Sequence, residues 1–208
     1  MFYSHIDSAL AEQGFFIVDN FLEDSAYRSL LAAAKKMDAA GLYKKAKIGR
    51  DLNASHQDAV RTDRICWLED TSTDAAINAY FSKMQALANT LNQSLFLSLS
   101  QFEAHFAIYQ PGTFYRKHVD QFANTQDRQI SCVYYLNEDW QKSFSGELKL
   151  YNKQQQLIAE VAPEGNRFIC FRSDLPHEVC ETNVTRYSIA GWMKTGSDAL
   201  AFTRALST

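Results

Sequence analysis

Between residues 109 and 120 the chain reads YQPGTFYRKHVD, ending in His118-x-Asp120, an imidazole and a carboxylate two residues apart. Side chains on a strand alternate faces, so residues i and i+2 point the same way. Such a pair can grip one metal ion and leave its other side open. By itself the pattern is common: with 5 His and 14 Asp among 208 residues, a shuffled chain holds a His-x-Asp about one time in three.

A third ligand has to come from elsewhere, and His177 is the histidine downstream of the pair. It follows the turn SDLP and opens the strand-like HEVC, which places it at a strand start facing a neighbouring strand. Two histidines and one carboxylate with open positions make the facial arrangement of non-haem Fe(II) oxygenases. Neutral imidazoles and one carboxylate leave Fe(II) with a single net positive charge, suited to an anionic chelating co-substrate. The candidate is 2-oxoglutarate, whose keto-acid end chelates the metal and whose far carboxylate needs a cation. Arg186, in RYSIAGW, offers a planar guanidinium that forks onto a carboxylate better than lysine does. An ordinary salt bridge is the other use of such an arginine.

These residues have to be held by one folded unit. A 208-residue chain, 46% hydrophobic and 13% aromatic, can bury a sizeable core and fits one domain, residues 1–208. A net charge of -3 gives no electrostatic case for nucleic acid or an anionic membrane as partner. Cys66, Cys132, Cys170 and Cys180 show neither C-x-x-C pairing nor zinc-ligand spacing and read as reduced, buried thiols. With no signal peptide and no long apolar run, the expected location is cytoplasmic, with no membrane contact.

Residues 4–13 suit a short helix with Ser4 as cap, and GFFIVDNF a buried strand after Gly14. Asp24 or Ser25 can cap a helix through AYRSLLAAAKKMDAA that Gly41 stops. Residues 43–64 are polar, and the Lys44–Arg50 run suits a solvated loop, or a structured loop beside a site. Ile77, Phe81, Met84, Leu87, Ala88 and Leu91 mark a second long helix over 74–91. From residue 95 short strand-like runs alternate with turn clusters such as PGT, NKQQ and PEGN. Helices followed by many short strands predict an α+β fold, with an antiparallel jelly roll, a double-stranded β-helix, over 96–196 and helical support plus a substrate loop over 1–95.

The blocks RTDRICWL, YQPG..Y.KHVD, YYLNEDW, SGELKLY, PHEV and TRYSIAGW follow one another in order. Through them the chain resembles the Fe(II)/2-oxoglutarate-dependent dioxygenases, in particular the prolyl 4-hydroxylase branch with the animal oxygen-sensing (HIF) prolyl hydroxylases and their bacterial relatives. The resemblance runs from GFFIVDNFL to GWMKT, nearly the whole chain. It implies His118, Asp120 and His177 as iron ligands and Arg186 as anchor of the 2-oxoglutarate tail, shared with Tyr135. It implies Tyr109 at the keto-acid end, and Val133, Leu148 and Val179 as apolar walls. Arg61 and Asp63 are similar to a charged pair on a mobile loop over the target segment, and Arg128 and Trp192 to residues lining the prolyl pocket. Fe(II), 2-oxoglutarate and O₂ are the implied cofactors, with ascorbate as reductant. The implied partner is a protein with an exposed prolyl loop, such as the translation factor elongation factor Tu, hydroxylated at ring position 4 with release of succinate and CO₂. Two departures stand out: the spacing from Tyr109 to His118 is one residue shorter than in the animal enzymes, and Ala190 stands where they carry threonine.

Rival readings remain at this level. A relative acting on another side chain or a small molecule fits the same ligands. A nucleic-acid demethylase would resemble the family with a further arginine where Trp192 stands. Halogenases lack the carboxylate that Asp120 supplies. A non-catalytic metal-binding jelly roll would need a broken triad.

Overall fold

Apolar residues recurring every third and fourth position make the helices, and those recurring every second position make the strands. The structure is a computed structural model describing residues 5–46, 57, 59–69, 72–121 and 125–196. Its helices are α1 (Ile6–Glu12), α2 (Asp24–Ala39) and α3 (Ala75–Leu95). α3 starts where Asp74 caps it, its carboxylate accepting from the amides of Ala76 and Ile77 at 2.8 and 3.3 Å. It buries Ile77, Met84, Leu87, Ala88 and Leu91 as the spacing predicts, and Tyr80 besides. α2 departs from expectation at its start. The cap residue is Glu23, without a side-chain cap bond, and Asp24 lies in the first turn, accepting from Arg28 at 2.7 Å. A carboxylate there suits the positive helix end and a partner one turn on. The predicted Ser4 cap lies outside the described residues.

Among the described residues the strands are β1 (Phe15–Val18), β2 (Lys44–Lys45), β3 (Arg64–Leu68), β4 (Leu99–Tyr109), β5 (Tyr115–His118), β6 (Arg128–Tyr135), β7 (Leu148–Tyr151), β8 (Leu157–Val161), β9 (Phe168–Arg172), β10 (His177–Val179) and β11 (Arg186–Thr195). They form a seven-stranded sheet, β1-β9-β6-β11-β4-β3-β2, and a four-stranded sheet, β5-β10-β7-β8. Every pairing is antiparallel. Two facing antiparallel sheets supported by helices make the α+β jelly roll that the pattern of runs predicts. The part before residue 95 also contributes β1, β2 and β3 to the edges of the larger sheet. Within the polar section, Lys44 and Lys45 pair with β3 and stay exposed while Tyr43 is buried. Lys47 and Arg50 lie outside the described residues.

Alternation along the long strands divides two cores. Phe106, Tyr134, Phe168 and Met193 face outward against Leu30, Tyr80, Met84 and Leu87 of the helices. Their neighbours Ala107, Tyr135, Ile169 and Phe171 face inward against Leu148, Leu150 and Val179. Each such buried side chain contributes about 1.5–3 kcal/mol. Between the sheets this inner face leaves one cavity lined by polar residues as well. No helix among the described residues is long and apolar enough to cross a membrane.

Candidate metal and co-substrate site

His118 ends β5, His177 begins β10, and the two are register partners across that pairing. Asp120 does not share the strand as the alternation argument predicts, because β5 stops at His118. It is instead held from the larger sheet, where the Ser131 hydroxyl donates to Asp120 Oδ2 at 2.7 Å. Ser131 is itself 2.9 Å from the Ser173 hydroxyl. The three side chains converge, with ligand atoms all within 4.8 Å of one another.

The backbone sets the histidine tautomers. A carbonyl oxygen only accepts, so His118 Nδ1–H donates to the Arg116 carbonyl at 2.7 Å and His177 Nδ1–H to the Leu175 carbonyl at 3.0 Å. That leaves both Nε2 lone pairs facing the carboxylate, His118 Nε2 3.6 Å from Asp120 Oδ1 and His177 Nε2 3.4 Å from Oδ2. Carbonyl bonds behind ligating imidazoles are how metal sites are pre-oriented. Burial, then the neighbouring His177, pushes His118 down to about 3. Burial opposes ionisation of Asp120, but His177, His118 and the Ser131 hydroxyl hold it well below the usual carboxylate range. Burial pulls His177 down, and Asp120 overrides that and raises it. An ionised carboxylate between imidazole lone pairs is a donor set for a divalent cation, Fe(II) included.

Along the same cavity Arg186 is 1% exposed. Tyr109 is its cross-strand partner, and the rings of Tyr109 and Tyr135 lie 4.9 and 5.1 Å from its guanidinium. Arg186 Nη1 donates to Ser188 at 3.2 Å, while among the described residues Arg186 Nε and the Tyr135 hydroxyl find no hydrogen-bond partner. Among the described residues no carboxylate pairs with this guanidinium. A buried cation left unpaired is costly, so the site fits an anion brought in from outside. Gly146 makes the room: at φ +79, a Cβ there would come within 3.0 Å of Thr182 and 3.3 Å of Arg186 Cδ. Val133, Leu148 and Val179 line the same space.

Toward the opening, Arg61 makes a two-pronged bond to Asp63, 2.7 Å on each prong, and lies over the Tyr115 ring at 4.3 Å. The Arg128 guanidinium lies 3.6 Å from the Trp192 ring centroid and bonds Glu103 at 2.8 Å. The candidate site residues therefore line one cavity, apart from Arg128, which reaches it through Trp192, and Tyr135, which reaches it through Arg186. Sequence reasoning passed over Tyr115, stacked on His118 at 3.5 Å, and Ser131, His105 and Trp67. For Ser131 and His105 a signal existed: they sit at even spacing from Tyr135 and Tyr109 and so share their face.

The signature of the 2OG-Fe(II) oxygenase superfamily matches residues 104–194. Mouse prolyl hydroxylase EGLN3 is 30% identical over 195 residues, a match spanning 90% of this chain and 81% of that protein. Human Egl nine homolog 1 is 29% identical over 195 residues, and there the chain spans 45% of the relative's length. The crystal structure of a Pseudomonas putida prolyl-4-hydroxylase superposes with a TM-score of 0.82 at 32% identity, covering 92% of this chain and 97% of that one. On this agreement of sequence, fold and donor set, the chain belongs to the prolyl hydroxylase branch of the 2OG-Fe(II) oxygenase superfamily, a family of enzymes.

Proposed function

We propose that the protein hydroxylates a prolyl residue of a protein substrate at ring position 4. His118, Asp120 and His177 hold Fe(II), and Arg186 with Tyr135 holds the tail carboxylate of 2-oxoglutarate. The observation that carries this reading is the coincidence, in one cavity, of a preset His-Asp-His cluster with a buried arginine lacking an anion. When bound, iron and 2-oxoglutarate supply the activation of O₂, with release of succinate and CO₂ and transfer of one oxygen atom to the substrate; ascorbate serves as reductant.

The chain's own work is orientation. The Arg116 and Leu175 carbonyls hold a proton on each Nδ1 and so turn each Nε2 toward the metal position, and Ser131 fixes the rotation of Asp120. Arg186 forks onto the tail carboxylate while the Tyr135 hydroxyl donates to it, satisfying two buried groups otherwise unpaired. Leu148, Val179 and Val133 exclude water from the carbon chain between the two ends, and Tyr109 borders it toward the keto-acid end. Arg61 with Asp63, and Arg128 with Trp192, frame the prolyl ring. Aromatic rings flanked by charged side chains, Tyr115 with Arg61 and Trp192 with Arg128, suit a peptide loop. The formal charge of -3 offers nothing to a phosphate backbone. A cytoplasmic translation factor such as elongation factor Tu is the candidate substrate. The test compares peptides from cells with and without the enzyme by mass spectrometry. Prolyl peptides heavier by one oxygen atom only when the enzyme is present are expected, whereas gains confined to Lys, Asn or small molecules exclude the prolyl reading.

A further inference from the structure

The cavity wall built by β3, β4 and β11 carries a histidine that no role above uses. His105 is 2% exposed and lines the same cavity as His118, His177 and Arg186. In the sheet it sits between Trp67 of β3 and Ala190 of β11. Its ring stacks on Trp192 at 5.5 Å and 16° and tilts against Trp67 at 5.0 Å. Native interiors leave few polar atoms unpaired, yet Nδ1 of this ring is sealed from solvent with no partner among the described residues. Its cross-strand partner, Ala190, offers no acceptor. Burial, then the Arg61 guanidinium, holds the ring down to about 4, so at neutral pH it is uncharged.

An uncharged imidazole carries one N–H. A proton on Nδ1 would be a sealed, orphaned donor, whereas a lone pair left unpaired there is the lesser cost. The proton therefore sits on Nε2, the nitrogen that is not sealed. The charged groups acting on this ring are Arg61, Arg128, Asp63 and Asp120. Arg61 and Asp63 satisfy each other, Arg128 is bonded to Glu103, and Asp120 to Ser131. In the open site that N–H is left to water, and a substrate that displaces the water has to supply the acceptor. A prolyl residue has no amide N–H, and the polar atoms beside its ring are main-chain carbonyl oxygens.

Resting on the prolyl reading above, we propose that His105 is a specificity residue whose Nε2–H donates to a main-chain carbonyl beside the target proline, the ring being held against the indoles of Trp67 and Trp192, which also meet each other at 6.4 Å. A substrate lacking a carbonyl at that place leaves the donor unpaired and is disfavoured.

The test uses the full chain with Fe(II), 2-oxoglutarate and a synthetic pool of peptides carrying one central proline between randomised residues. His105→Phe keeps a ring against Trp192 and removes the donor; His105→Gln drops the ring and keeps an N–H near the place of Nε2. His105→Phe is expected to lower kcat/KM for the pool about tenfold through KM, without moving the KM for 2-oxoglutarate, and His105→Gln to recover about threefold of that loss. A His105→Phe enzyme within about twofold of the native rate overturns the assignment, as does a His105→Gln enzyme that recovers none of the loss. If the native enzyme hydroxylates nothing in the pool, the prolyl reading fails and this assignment falls with it. Native turnover on the pool therefore separates the two.

Discussion

Arg186 is the residue whose chemistry is least complete without a ligand. Its guanidinium is buried against two tyrosine rings and one serine hydroxyl, with no carboxylate beside it among the described residues. Replacing such a cation by a flexible apolar side chain relieves a desolvation cost that no internal partner offsets. Arg186→Met is therefore expected to raise the thermal midpoint of the ligand-free protein while raising the KM for 2-oxoglutarate about a hundredfold. The native protein should gain stability on adding 2-oxoglutarate with a metal, and the variant should not; calorimetry reads both. Ser131 acts at one remove, through Asp120. Ser131→Ala frees the carboxylate to rotate and is expected to weaken metal affinity about tenfold, measured by competition with a chelating dye. An unchanged affinity would show that the Asp120 rotamer is set by the metal alone.

At the scale of elements, the site is a meeting of the two sheets. The smaller sheet brings the histidines through the β5–β10 pairing, and the larger brings Ser131, Arg186 and Tyr135 along inward-facing rows. Gly146 lies where the approach to β7 runs past Arg186. Gly146→Ala combines a left-handed backbone with a 3.0 Å contact to Thr182, and costs about 1–3 kcal/mol. Because Arg186 is the next residue met, its Cδ at 3.3 Å, the KM for 2-oxoglutarate should rise as stability falls, a pairing that a merely local strain would not produce.

The same elements explain what could be read in advance. His118, Asp120, His177 and Arg186 were legible because each sits in a short block with its own turn signal, and the long strands because their alternation spans eight or more residues. β2 was not legible: two lysines pair through their backbones alone and carry no pattern. The strand alternation expected for Asp120 does not hold, since β5 stops at His118 and the carboxylate is held by Ser131 across the cavity. The cluster of Trp67, His105 and Trp192 is set by the register of three strands distant in sequence, which no local pattern encodes.

For the whole molecule, burial of neutral histidines couples folding to pH. His105 and His118 are held down to about 4 and about 3, below the ordinary histidine value. Between about pH 6.5 and those values the unfolded chain binds protons that the folded chain refuses, so stability falls as pH drops through that window. His177 opposes this, because its raised value favours the folded state on the acid side. The net expectation for the metal-free protein is a lower thermal midpoint at about pH 4.5 than at about pH 7, with a shallower slope in His105→Phe. A midpoint that rises on acidification would contradict the neutral assignment of both rings.

All of this rests on one claim, that the His-Asp-His cluster and Arg186 form a single site for Fe(II) and 2-oxoglutarate. The most direct measurement is anaerobic titration of the metal-free protein with Fe(II) and then 2-oxoglutarate, followed by visible absorption. A weak charge-transfer band should grow to one equivalent of each in the native protein. It should fail to form in Asp120→Ala, and should need far more 2-oxoglutarate in Arg186→Met. No band in the native protein, or an equal band in all three, would contradict the account.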